Sequence, residues 1–195
     1  MIIGLTGGIG SGKSSAAQIF EFLGIPVFIA DEVSKKLLDK APIQKKLTAL
    51  LGQDVLQESK INRAKMAGLI FNDESLLQAV NNILHPAVRR AFARWHQGQA
   101  PAPYYLREAA ILFESGSDED CDKVITITAP RELRIARVAA RSGESREQIE
   151  QRMARQWPEE EKIRRSDFVI HNDQKHSLIE EVWRVHKAIL KQTRI

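Results

Sequence analysis

The chain has 195 residues, 43% of them apolar and 28% charged. That is the composition of an ordinary globular protein with one core and room for a modest insertion. A formal net charge of +4 favours anionic ligands in general, but the charges are dispersed and exclude a nucleic-acid-binding stripe, while the single cysteine, Cys121, excludes an internal disulfide.

The start, MIIGLTGGIG, lacks the basic opening of a signal peptide, and glycines interrupt its apolar run. No stretch has the uninterrupted apolar length of a membrane-spanning helix. A cytoplasmic protein is therefore expected, with no membrane association and no partner protein indicated.

Residues 2–6 (IIGLT) read as a buried strand that runs into a glycine cluster. Apolar residues then return at helical spacing (Ala16, Ile19, Phe20, Leu23), and Gly24 closes that helix. Residues 25–30 (IPVFIA) form a second strand, which ends at Asp31. This strand–loop–helix–strand order is a βαβ unit and implies a parallel sheet.

Residues 33–98 carry helical patterns and little strand signal. The longest spans 75–97, and Pro86 is expected to kink or divide it near His85. Strand character returns at 104–106, running towards 110–113, and again at 123–128 and 168–171. Helices are expected at 131–141, 145–155, 159–165 and 176–192. The predicted fold is α/β: a five-stranded, mostly parallel sheet with flanking helices and a helical insertion between strands two and three. The core is expected over 1–33 and 99–195, and the insertion over 34–98.

The strongest motif is Gly7-Gly8-Ile9-Gly10-Ser11-Gly12-Lys13-Ser14, a complete G-x-x-x-x-G-K-[ST] phosphate-binding loop. It lies directly after a predicted strand and opens a predicted helix. Residues 8–15 (Gly8, Ile9, Gly10, Ser11, Gly12, Lys13, Ser14 and Ser15) are the candidate ATP-binding set. Backbone amides and the positive helix end attract phosphate, Lys13 reaches the β- and γ-phosphates, and the Ser14 hydroxyl can hold Mg²⁺. The loop serves kinases, ATPases and GTPases alike. The base-reading N-K-x-D of GTPases is missing, because residues 172–175 have the letters but not the order. A small phosphoryl-transfer enzyme remains; the alternative class is a nucleotide-dependent switch or a polynucleotide-binding ATPase.

Asp31 sits at the carboxyl end of the second strand, the edge where open α/β sheets bind ligands. It reads either as the base for an acceptor hydroxyl or as the N-cap of the next helix. Arg137 and Arg141 share a helix face, and with Arg152 and Arg155 they suggest an arginine-bearing lid over about 137–160. The bland alternative is a solvated face balanced by Glu144, Glu147 and Glu150. His85 faces an acceptor pocket or satisfies a helix break. Arg107 and Glu108 hold the acceptor or a metal-bound water, or form an ion pair. Asn172 lies near the adenine or caps a loop. Trp95, Trp157 and Trp183 fall in helical patterns and read as packing residues.

TGGIGSGKS (6–14), FIAD (28–31), LHP (84–86), AILFE (110–114), the R-x-x-x-R of 137–141, Gln156, Asp167 and Asn172 occur in the order seen in dephospho-coenzyme A kinases, and the chain resembles that family over roughly residues 2–173. The resemblance implies a P-loop kinase core, a helical coenzyme A-binding domain and a lid. It implies Mg²⁺ as cofactor, ATP and dephospho-coenzyme A as ligands, and phosphorylation of the ribose 3′-hydroxyl as the last step of coenzyme A synthesis. By position it implies Asp31 as base, Lys13 as phosphate clamp, Ser14 as Mg²⁺ ligand and Arg141 as lid arginine. Arg137 and Asn172 are expected on the ATP, and His85 and Arg107 on the acceptor. The chain departs from the family pattern at Ile29, where many members carry a first aspartate, at Ala110, where proline is common, and at Ser15, where threonine is common.

Overall fold

A computed structural model of the chain describes residues 1–71 and 73–193. Asn72, Arg194 and Ile195, which the expected insertion and core ranges include, lie outside the described residues. The chain divides into two compact units, Met1–Ile29 with Gln99–Ile195, and Ala30–Gly98.

The first unit is built on strands β1 (Ile2–Gly7), β2 (Val27–Ile29), β5 (Tyr105–Glu108), β6 (Lys123–Thr128) and β7 (Phe168–His171). They lie in the order β2-β5-β1-β6-β7, and every pairing is parallel. The five-stranded expectation is met, and the sheet is wholly parallel. β1 is central, which is why Ile3 and Leu5 have no exposed surface. Helices α1 (Lys13–Phe22) and α9 (Leu178–Thr193) pack together beside the sheet. Ala16, Ala17 and Phe20 of α1 and Val182, Val185 and Ile189 of α9 join Ile3, Leu5, Leu106, Ile125, Ile127 and Ile170 in one core. Each such large aliphatic side chain contributes about 1.5–3 kcal/mol on burial.

A smaller cluster, Ile135, Val138 and Ile149, joins α6 (Arg131–Ser142) to α7 (Arg146–Ala154), and α8 (Glu159–Arg165) packs on β6. Ser145 starts α7 with a reciprocal capping box to Gln148. The third predicted strand is shorter than expected. It ends at Glu108, and residues 110–116 form turns.

The second unit holds α2 (Ala30–Leu37), α3 (Ala41–Leu51), α4 (Arg63–Phe71) and α5 (Glu74–Gln97). Leu38, Ile43, Leu47, Met66, Val80 and Leu84 belong to its core. α5 runs without a break from Glu74 to Gln97, so Pro86 does not divide it. An internal proline costs about 3 kcal/mol. The buried face of α5 (Val80, Leu84, Ala87, Val88, Phe92), packed against α2, α3 and α4, outweighs that cost. The unit also carries a small antiparallel pair, β3 (Leu56–Gln57) with β4 (Lys60–Ile61), in a region expected to be helical.

Candidate active site

β1 delivers the phosphate-binding loop at its carboxyl end, and α1 begins at Lys13. The first helical bond of α1 runs from Ala16 N–H to the Gly12 carbonyl at 3.1 Å. The amides of Lys13, Ser14 and Ser15 precede it and have no intrahelical acceptor, the geometry that suits a helix end to an anion. Lys13 Nζ is 2.9 Å from the Gly7 carbonyl and 3.4 Å from that of Gly8, so its charge lies across the loop. Ser14 and Ser15 are exposed, whereas Ser11 is fully buried.

The loop is enclosed by side chains from α6, from the segment between α7 and α8, and from the end of β7. Arg134 is buried, and its NH2 group lies 3.2 Å from Glu159 Oε2. Glu159 also accepts from the Thr128 hydroxyl and, at 3.1 Å, from Ala129 N–H. The Arg134 guanidinium lies against Gly8, where a Cβ would come within 1.8 Å of NH1. Asn172 donates its amide to the Ser11 carbonyl at 2.8 Å. Its Nδ2 would meet a Cβ on Gly12 at 2.1 Å. Arg137 donates to Asn172 at both the backbone oxygen (3.1 Å) and Oδ1 (3.3 Å). Gln156 accepts from Ile9 N–H at 2.7 Å.

The structure thus brings together Gly8, Ile9, Gly10, Ser11, Gly12, Lys13, Arg137 and Asn172 within the first unit. Asn172 and Arg137 hold the loop's backbone in this geometry. The Ile9 amide is taken by Gln156. Arg141, expected to share a face with Arg137, stands exposed in the last turn of α6. Part of the surrounding charge is a solvated face: Arg152 binds Glu144 at 2.6 Å, and Arg131 binds Glu150 at 2.8 Å. Arg107 is 2% exposed and donates to Asp120 at 3.2 Å and to Ser117 at 3.1 Å, the ion-pair geometry of its two readings. Asp31 and His85 belong to the second unit. Asp31 is exposed inside the first turn of α2, beyond an N-cap position, where the helix dipole favours its charge. His85 is half-buried in α5.

Sequence reasoning assigned no role to Arg134, Glu159, Lys162 or Gln156. Lys162 and Glu159 read as members of a charged helical run, E-E-E-K, and only the parallel sheet carries them to the loop. Trp157 lies in the connection between α7 and α8, not in a helix, and its ring stacks on Phe113 with centroids 6.0 Å apart.

A wholly parallel sheet with a G-x-x-x-x-G-K-S loop between its central strand and a helix, backed by arginines on α6, defines a P-loop kinase core. A model of the dephospho-CoA kinase family matches residues 1–177, and the chain belongs to that family. It is 40% identical to a dephospho-CoA kinase of Bacteroides fragilis over 181 residues, which cover 92% of this chain and 88% of that one. Among solved structures it is similar to a Thermus thermophilus protein, with a TM-score of 0.86, 34% identity and 98% and 97% coverage of the two chains. It is also similar to dephospho-CoA kinase from Campylobacter jejuni, with a TM-score of 0.69, 28% identity and 98% coverage of each chain.

Proposed function

We propose that this protein transfers the γ-phosphoryl group of ATP to the ribose 3′-hydroxyl of dephospho-coenzyme A, giving coenzyme A and ADP. The carrying observation is the loop itself, with its helix-end amides, Lys13 across it and arginine on its flank, in a chain of the dephospho-CoA kinase family.

In this reading the amides of residues 13–15 and the positive end of α1 bind the phosphates. Lys13 exchanges the carbonyls of Gly7 and Gly8 for β- and γ-phosphate oxygens. Arg137 supports the ATP side, and its buried NH1 has no protein partner among the described residues. Among these residues no cluster of three His, Cys, Asp or Glu side chains could hold a metal, so Mg²⁺ would rest on phosphate oxygens and the exposed Ser14 hydroxyl. That oxygen-only set suits a hard ion that keeps several waters, and when bound it neutralises charge on the transferring group. Asp31 takes the proton of the acceptor hydroxyl as the new bond to phosphorus forms and the bond to ADP breaks. Arg141 supplies charge from the lid, and residues 34–98, His85 among them, bind the acceptor. No helix among the described residues is long and apolar enough to cross a membrane.

The test is ADP release from Mg-ATP with dephospho-coenzyme A, AMP, shikimate or gluconate as acceptor. Turnover on dephospho-coenzyme A alone, with coenzyme A identified by mass, is the expected result. Turnover only on another acceptor would overturn the substrate assignment, and turnover on none would overturn the reaction.

A further inference from the structure

We propose that Gln156 is a positioning residue for the phosphate loop, fixing the Gly8–Ile9 peptide plane so that Lys13 and the amides beyond it face the nucleotide. The proposal rests on the ATP-binding reading of the loop. A trans peptide directs its N–H and C=O in opposite directions from the two edges of one rigid plane. On one side the Ile9 N–H donates to Gln156 Oε1 at 2.7 Å. On the other, the Gly8 carbonyl accepts from Ser11 N–H at 3.1 Å and from Lys13 Nζ at 3.4 Å. The plane is therefore clamped from both sides, and the inner side carries the turn of the loop and its lysine.

Gln156 is itself held. Its Nε2 donates to the Ala110 carbonyl at 3.2 Å, and only this orientation of the carboxamide pairs both ends. The same carbonyl accepts from Lys162 Nζ at 3.2 Å, and Lys162 lies 2.7 Å from Glu114 Oε1. Glu114 Oε1 also accepts from Trp157 N–H at 2.8 Å, one residue beyond Gln156. Gln156 closes α7, with its N–H on the Met153 carbonyl at 3.0 Å. A buried ion pair thus anchors the backbone and the side chain that set the loop, and the end of the lid segment bears directly on the phosphate-binding loop.

Gln156→Met keeps the length of the side chain and removes both bonds. The affinity for a non-hydrolysable ATP analogue with Mg²⁺, measured by calorimetry, is expected to fall roughly tenfold, as loss of a bond to a partly buried backbone donor implies. The KM for dephospho-coenzyme A is expected to stay within about twofold, since that interaction is not touched. A general structural defect would instead move both substrates and the melting temperature together, and that result, or unchanged analogue affinity, would overturn the proposal. Amide exchange of the wild-type protein decides independently of any variant: Ile9 N–H is expected to be protected without nucleotide, and exchange at the rate of exposed loop amides would overturn it. If the wild type binds the analogue but leaves dephospho-coenzyme A unphosphorylated, the proposed reaction fails and the affinity comparison still decides the role of Gln156.

Discussion

Lys162 Nζ lies 2.7 Å from Glu114 Oε1, with the lysine side chain 1% exposed, so one buried ion pair ties α8 to the turns that follow β5. Glu114 Oε2 is buried without a hydrogen-bond partner among the described residues. Removing the ammonium therefore leaves a largely buried carboxylate with the Trp157 N–H as its remaining donor among the described residues. Lys162→Met is expected to cost about 3–5 kcal/mol in urea unfolding, the usual penalty for stranding one member of a buried pair. Adding Glu114→Gln is expected to recover much of that loss. A single variant as stable as the wild type would show that the pair is not the anchor described above.

Gly12→Ala tests the fit between the loop and Asn172. Gly12 has φ +98, and a Cβ there would lie 2.1 Å from Asn172 Nδ2. Backbone strain of this kind costs about 1–3 kcal/mol for a residue with a side chain. The substitution is expected to lower the melting temperature and to weaken ATP binding. Asn172→Ala in the same chain should relieve the clash but not the strain, so recovery is expected to be partial. Full recovery by the double variant would assign the whole effect to the clash.

The sheet was legible because its strands are short apolar runs next to glycine or aspartate, and the loop because eight consecutive residues match one spacing. The β3–β4 pair was not. Each strand has two residues, and the turn places Glu58 and Ser59 at φ 49 and 62 without the glycine or asparagine that would announce it. Pro86 misled as a divider because the helix around it is decided by burial, which periodicity does not weigh against a local break. At the site, Lys13 and Ser14 were readable from spacing alone. Arg134 and Glu159 were not, and Gln156 stood out only as part of the family pattern, without a role, since their relation to Gly8 and Ile9 depends on β6 lying beside β1. Asp31 and Lys13 carry the chemical proposal and belong to different units.

Asp31→Asn is expected to keep ATP affinity near the wild-type value while turnover falls roughly 10²–10⁴-fold, the range for loss of a general base. Lys13→Ala is expected to weaken ATP binding and turnover together, because its charge acts on the phosphates in the ground state and during transfer. Calorimetry beside single-turnover kinetics separates the two patterns. A near-normal rate in Asp31→Asn would leave Asp31 with only its place in the first turn of α2. Arg137→Ala and Arg141→Ala are expected to differ. The first also loosens Asn172 and so weakens nucleotide binding, while the second lowers the rate alone.

Tyr104 is fully buried, and its hydroxyl is 2.6 Å from His186 Nδ1. Burial lowers the histidine below its ordinary value of 6.5 and raises the tyrosine. The fold therefore favours the neutral imidazole, which accepts the tyrosine proton when Nε2 carries the hydrogen. The unfolded chain takes up a proton on this residue first as pH falls, so stability is complete above the ordinary value. It declines as pH drops through that value towards the depressed one. Thermal melts from about pH 8 to about pH 5 should reveal this loss, the interval in which an ordinary histidine titrates. His186→Gln keeps an acceptor for Tyr104 and removes the titration, so its melting temperature should fall less steeply across that interval. Equal slopes for the two proteins would place the acid sensitivity on other groups.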